Sequence, residues 1–277
     1  MLILADSNPT KHISRPYVNY FLIFTCIALF FAGPDYRVYG FSPVLLHEAV
    51  SSPGTSDPGL ALMQLFSYTF LHADIFHLAG NMLVLWIFGD NVEDSMGHGR
   101  YGLFFLLCGM AGALGEGTFT AIPEIPVVGA SGAVSGVMGA YLLLHPRARV
   151  LVLVAFRFPV VVPASLMVGL YIGMDVVSVL WPDPESDAMV AFWAHLGGFA
   201  AGVGLLLLMR HPDVPLFQPA SMYPERAFGR LGRFILDLGH KRDAGTRPAH
   251  WRERLAFGAK TLAYFLLVAV AVEMLLG

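Results

Sequence analysis

The chain has 277 residues, of which 56% are hydrophobic and only 13% charged, with a formal net charge of −3. That balance excludes an ordinary water-soluble globule and marks a membrane protein. Seven apolar runs approach the 20 residues that cross a hydrocarbon core of about 30 Å as a helix. They lie at roughly 17 to 32, 75 to 90, 101 to 116, 130 to 146, 159 to 181, 188 to 209 and 257 to 276. Several are short, so helices that begin or end below the membrane surface are expected, with protein or trapped water satisfying their backbones.

The opening "MLILADSNPTKHISRPYVNY" has neither the cleavage signature of a signal peptide nor the Arg-rich, acid-poor character of a transit sequence, so the first span is expected to be retained. The loop of about 33 to 74 is rich in Gly, Pro and Ser yet carries Phe41, Leu45 and Leu46, and is expected to fold onto the membrane face. The turn "WPDPESDAMV" reads as a cap around 182 to 190. Glu93 and Asp94 are expected to tie spans two and three together. From about 211 to 256 the chain is Pro-rich and then basic, reading as a linker with an amphipathic helix around Phe228, Leu231, Phe234, Ile235 and Leu238, or as a solvated basic segment. Residues 257 to 277 form the seventh span. Basic residues divide 16 to 1 in favour of one side if the N-terminus is inside, which predicts N-terminus in and C-terminus out. Cys26 and Cys108 fit no disulfide framework and no zinc spacing, and no nucleotide-binding loop or nucleic-acid module is present.

Polar residues inside a membrane are costly and need a reason. "LHADIFHLAGN", "GASGAVSG" and "AHLGGFAAG" open spans two, four and six, which alternating topology starts on the same side. His77 and Asn81 are four apart and share a helix face. Ser131 opens its helix, where backbone N–H groups are unpaired. Gly132, Gly136 and Ala140 repeat every four residues, as do Ala194, Gly198 and Gly202, and small residues at that spacing let two membrane helices approach closely. Close approach brings Ser131 to His195, whose imidazole activates the hydroxyl. Asn81, His77 and the Ser131 backbone N–H would meet the oxyanion. Ser135 fits a packing role, and His98 and His145 read as interfacial.

These motifs resemble the rhomboid intramembrane serine proteases: His72, His77 and Asn81 as H-x4-H-x3-N, Gly129 to Gly132 as G-x-S-G, and Ala194, His195, Gly198 and Gly202 as A-H-x2-G-x3-G. "NMLVLWIFGDNVEDSMGHGRY" is similar to the family's connection between spans two and three, and the similarity covers about residues 15 to 210. The resemblance implies an all-α polytopic protein: a six-helix catalytic core over 1–210, plus the linker and one extra C-terminal helix. It implies a Ser131–His195 dyad, His77 and Asn81 as oxyanion donors, and cleavage in or near transmembrane helices of other proteins. His72, Gly129, Gly132 and Gly198 would shape the site and hold substrate. No metal or organic cofactor is expected.

Met63 and Gln64 stand where many family members have Trp-Arg, so the usual anchoring of the first loop is not inferred. Ser135 stands where the family often has an aromatic residue against the catalytic histidine, which leaves the support of His195 open. Asp175 reaches the level of His195 and would orient it in a triad, but an ionised carboxylate must be desolvated and the resemblance implies no triad. The competing readings are a catalytically silent relative that binds membrane proteins, and a metal-dependent hydrolase or transporter using His72, His77 and His195. The metal reading lacks an H-E-x-x-H, and a five-residue separation puts His72 and His77 on different faces of a continuous helix. The expected setting is a bacterial plasma membrane with the active site open to the outside.

Overall fold

A computed structural model describes residues 2–6, 8, 10–52, 57–120, 122–154, 158–182 and 190–219. The seventh span, the amphipathic segment around Phe228 and residues 183–189 of the cap lie outside these residues.

An N-terminal strand β1 (Leu2–Asp6) precedes the first apolar helix α1 (Tyr17–Ala32), which ends where Gly33 turns into the left-handed region at φ 63°. Three short helices follow in the first loop: α2 (Tyr36–Tyr39), α3 (Pro43–Ser51) and α4 (Pro58–Ser67). Ser42 and Asp57 cap α3 and α4, each followed by a proline already set for the first helical turn. Helix α5 (Ile75–Val84) is capped by Asp74, whose carboxylate accepts from the N–H groups of Phe76 and His77. It continues through a π-turn (Leu85–Gly89) into α6 (Asp90–Met96), so the second span is one apolar unit from Ile75 to Met96. Helix α7 (His98–Phe119) returns, and α8 (Ser131–Leu144) begins at Ser131. The hairpin of β2 (Arg149–Val154) and β3 (Phe158–Pro163) leads to α9 (Ala164–Leu180) and then α10 (Phe192–Met209).

Three of these units are long and apolar enough to span a bilayer: Ile75–Met96, His98–Phe119 and Phe192–Met209. Tyr17–Ala32, Ser131–Leu144 and Ala164–Leu180 are apolar but shorter. At about 1.5 Å per residue, the 14 residues of α8 reach only about 21 Å. Its short length is tolerable because 11 of those residues are buried by protein rather than lipid.

The fold is mostly helical, not all-α. β2 pairs antiparallel with β1 on one side and β3 on the other, in the order β1-β2-β3. Residues 159 to 163, expected to open the fifth span, lie instead in the edge strand β3. "RVLVLV" and "FPVVVP" are continuous apolar runs, which periodicity cannot separate from helix, but valine stiffness at χ1 and the flanking prolines favour strand.

The core is a seam of small residues. A methyl group on Gly198 would lie 1.9 Å from the Gly132 carbonyl oxygen, and one on Gly202 would lie 2.1 Å from that of Gly136. On the other flank, Gly112 of α7 meets the Ala194 carbonyl oxygen and the Gly132 Cα. The expected close approach of α8 and α10 is therefore present, with α7 as its third member.

At the end of the bundle away from Ser131, buried carboxylates gather the N-terminal segment. Glu93 accepts from the N–H groups of Val18 and Asn19, capping α1 from another element, and pairs with His98. Asp94 accepts from the N–H groups of Lys11, His12 and Ile13. Glu93 does touch the start of the third span through His98, but its backbone bonds hold the start of α1, and Asp94 anchors the stretch before it. The start of the expected linker is docked too: the N–H groups of Phe217 and Gln218 donate to Leu143 and Leu144, and Val214 is buried.

Candidate active site

Gly129 makes the turn into α8 with φ at 133°, a region that disfavours any side chain. Its N–H donates to the Tyr68 carbonyl at 3.0 Å. A methyl group here would fall 2.7 Å from His77 Nε2 and 3.6 Å from Ser131 Oγ, so the bare glycine leaves room for an imidazole and a hydroxyl side by side. Phe41 and Val127 exchange backbone hydrogen bonds of 2.9 and 2.8 Å, stapling the first loop to the segment that delivers Ser131.

Ser131, His195, His77 and Asn81 all line one cavity of about 890 Å³. Helices α5, α8 and α10 supply them. Asn81 is buried, and its Nδ2 has no hydrogen-bond partner among the described residues. An unpaired buried donor costs about 1–3 kcal/mol, so the site holds an amide whose acceptor must come from elsewhere. Asp74 and Glu116 also line the cavity. Most of the rest is apolar, including Phe76, Val84, Val134, Met138, Leu170 and Met174.

His195 is held by α9. Its Nδ1 lies 3.1 Å from Asp175 Oδ2 and 3.3 Å from the Tyr171 hydroxyl, and the Tyr171 ring packs on the imidazole with centroids 5.7 Å apart. The support that Ser135 does not offer from α8 thus comes from the neighbouring helix. Tyr171 was not anticipated. The readable signal was a tyrosine and an aspartate four residues apart, hence on one face, with the acid inside an apolar run. Glu116 was missed as well. Its Oε2 accepts from the Ala194 N–H at 3.0 Å, which fixes the start of α10 one residue before His195.

His72 does not lie on a continuous helix with His77. It precedes the Asp74 cap, so the two rings meet edge-on at 5.2 Å rather than facing apart. Burial, then the neighbouring His77, pushes His72 down to about 4, which keeps it neutral. Its backbone carbonyl accepts from the Tyr36 hydroxyl at 2.6 Å, so this residue pins the first loop. Gln64 pins it again: its Oε1 accepts from the Ser42 N–H and its Nε2 donates to the Val38 carbonyl, each at 3.0 Å. The loop is anchored without Trp-Arg. No group of three metal-ligating side chains occurs among the described residues.

The model of the rhomboid domain matches residues 60–212 of the chain. RHOMBOID-like protein 12, mitochondrial, of Arabidopsis thaliana is 32% identical over 159 residues, covering 50% of this chain and 44% of the relative. Rhomboid protein 1, mitochondrial, of Saccharomyces cerevisiae is 31% identical over 144 residues, covering 48% and 38%. Rhomboid protease GluP of Bacillus subtilis is 37% identical over 101 residues, covering 36% and 19%. The chain thus spans less than half the length of these three relatives. With a domain match over more than half of its residues, on a bundle whose small-residue seam joins the G-x-S-G and A-H-x2-G helices, the chain belongs to the rhomboid family.

Proposed function

We propose that this protein is an intramembrane serine endopeptidase that cleaves transmembrane segments of other membrane proteins. The observation that carries this reading is the meeting of Ser131, His195 and the unpaired Asn81 amide on one cavity in a rhomboid-family chain. His195 Nε2 takes the Ser131 proton as Oγ forms a bond to the scissile carbonyl carbon. The carbonyl oxygen gains negative charge and accepts from Asn81 Nδ2, the His77 ring and the Ser131 backbone N–H, which is unpaired at the helix start. The C–N bond then breaks, the proton on His195 passes to the leaving nitrogen, and water attacks the Ser131 ester to free the enzyme. Neither a metal nor an organic cofactor enters these steps.

The apolar lining suits a substrate helix more than a soluble peptide. Two cavity-lining residues of α9, Leu170 and Met174, are 54% and 71% exposed, as is the α5 residue Phe76 at 57%, so the wall between α5 and α9 is open sideways. Substrate enters there. The basic residues put the N-terminus on the cytoplasmic side, so the cavity faces the opposite one, in a bacterial plasma membrane.

The test is cleavage of a single-span substrate in proteoliposomes by wild type, Ser131→Ala and His195→Ala, with fluorophosphonate labelling of Ser131 in parallel. Loss of cleavage in both variants with the fold retained is expected. Normal cleavage by either, or an unlabelled and inactive wild type, overturns the proposal.

A further inference from the structure

We infer that Asp175, assisted by Tyr171, is the positioning residue of His195, so that α9 sets the tautomer and orientation of the imidazole in the Ser131–His195 pair. The inference rests on the protease reading of Ser131 and His195 and deepens it.

Asp175 is buried in an apolar helix, where an ionisable group is expensive unless a partner stabilises it. Its partner is His195, through the 3.1 Å contact of Oδ2 with Nδ1. An ionised carboxylate only accepts, so this contact fixes the hydrogen of the neutral imidazole on Nδ1 and leaves Nε2 bare. Bare Nε2 is the form that can take the Ser131 proton. Once it has done so, the imidazolium lies against the carboxylate, and Asp175 stabilises that charge without taking a proton itself. Tyr171 adds its hydroxyl to the same nitrogen and its ring to the imidazole face. The two residues are one turn apart on α9 and converge on one ring, which is a supporting shell rather than a chance neighbour. The other titratable groups facing His195 are Glu116 from α7 and His77 from α5. Neither has a hydrogen bond to Nδ1 among the described residues.

The experiment measures kcat and KM separately for full-length wild type, Asp175→Asn, Asp175→Glu and Tyr171→Phe in proteoliposomes, with thermal unfolding of each. Asp175→Asn is expected to lower kcat by about a hundredfold while KM stays within about twofold, because an amide can present a donor to Nδ1 and favour the wrong tautomer. Asp175→Glu is expected to recover part of that loss by restoring an acceptor. Tyr171→Phe is expected to cost about fivefold in kcat, the worth of one hydrogen bond. Should Asp175→Asn unfold, the kcat loss in the folded Tyr171→Phe protein carries the test, and its absence overturns the inference. A folded Asp175→Asn enzyme with kcat within about twofold of wild type, or one altered in KM alone, also overturns it while leaving the protease reading intact. A wild type that neither cleaves nor takes the fluorophosphonate on Ser131 overturns both.

Discussion

Replacing Gly198 by alanine tests how closely the chemistry depends on the α8–α10 seam. The new methyl carbon would start 1.9 Å from the Gly132 carbonyl oxygen, 2.6 Å from its carbon and 3.2 Å from its Cα, while contacts under 3.0 Å are essentially never seen. The obstructing atoms are backbone, so no rotamer relieves the clash; the two helices must part by about 1 Å, at a cost of about 1–3 kcal/mol for overpacking. His195 is one turn from Gly198, and Ser131 adjoins Gly132, so the separation is carried straight to the two side chains proposed to react. A misplacement of that size costs on the order of a hundredfold in rate even when no catalytic atom is removed. The assay is kcat/KM for a single-span substrate in proteoliposomes beside Gly204→Ala, a control on the same helix whose added methyl meets nothing within 4 Å. Gly198→Ala is expected to lose about two orders of magnitude in kcat/KM and the control almost nothing. Equal activity of the two variants refutes the reasoning.

Asn81→Ala removes the unpaired amide from the cavity and is expected to lower kcat about a hundred- to a thousandfold with no loss of thermal stability, since no hydrogen bond of Nδ2 is broken; an unchanged kcat in substrate cleavage would discard the oxyanion role. A flexible maleimide cross-link between Phe76→Cys and Met174→Cys, both on the walls of the sideways opening, is expected to stop transmembrane substrates while a small fluorophosphonate still labels Ser131. Cleavage that survives full cross-linking would place the entrance elsewhere. Burial, reinforced by the Asp90 carboxylate and opposed by the hydrogen bond from Tyr141, pushes Asp6 up from 3.8 to about 8. Between those values the folded chain holds a proton that the unfolded chain has lost, so stability declines as pH rises through that window. His72, held low, acts only below its ordinary 6.5. The melting temperature in detergent is therefore expected to fall from pH 7 to 8 and to flatten in Asp6→Asn, and a level wild-type profile over that range would contradict the burial of Asp6.

What could be read from the sequence was whatever depends on local spacing and on the cost of polarity in lipid. The serine, the two histidines and the asparagine were visible because each interrupts an apolar run, and the glycine repeats announced which helices meet, since a missing side chain is itself a local fact. The anchoring of the first loop by Gln64 was not visible: a lone glutamine has no pattern, and its two backbone partners lie 22 and 26 residues away. The three-stranded sheet escaped for a related reason, because an unbroken valine-rich run reads equally as helix until its hydrogen-bond partners across the hairpin and in β1 are known. The setting of His195 belongs wholly to the tertiary structure. Tyr171 and Asp175 are local to one helix and could be seen to share a face, but the direction of that face is fixed only when α9 docks on α10, and with it the ring nitrogen of His195 that Asp175 engages.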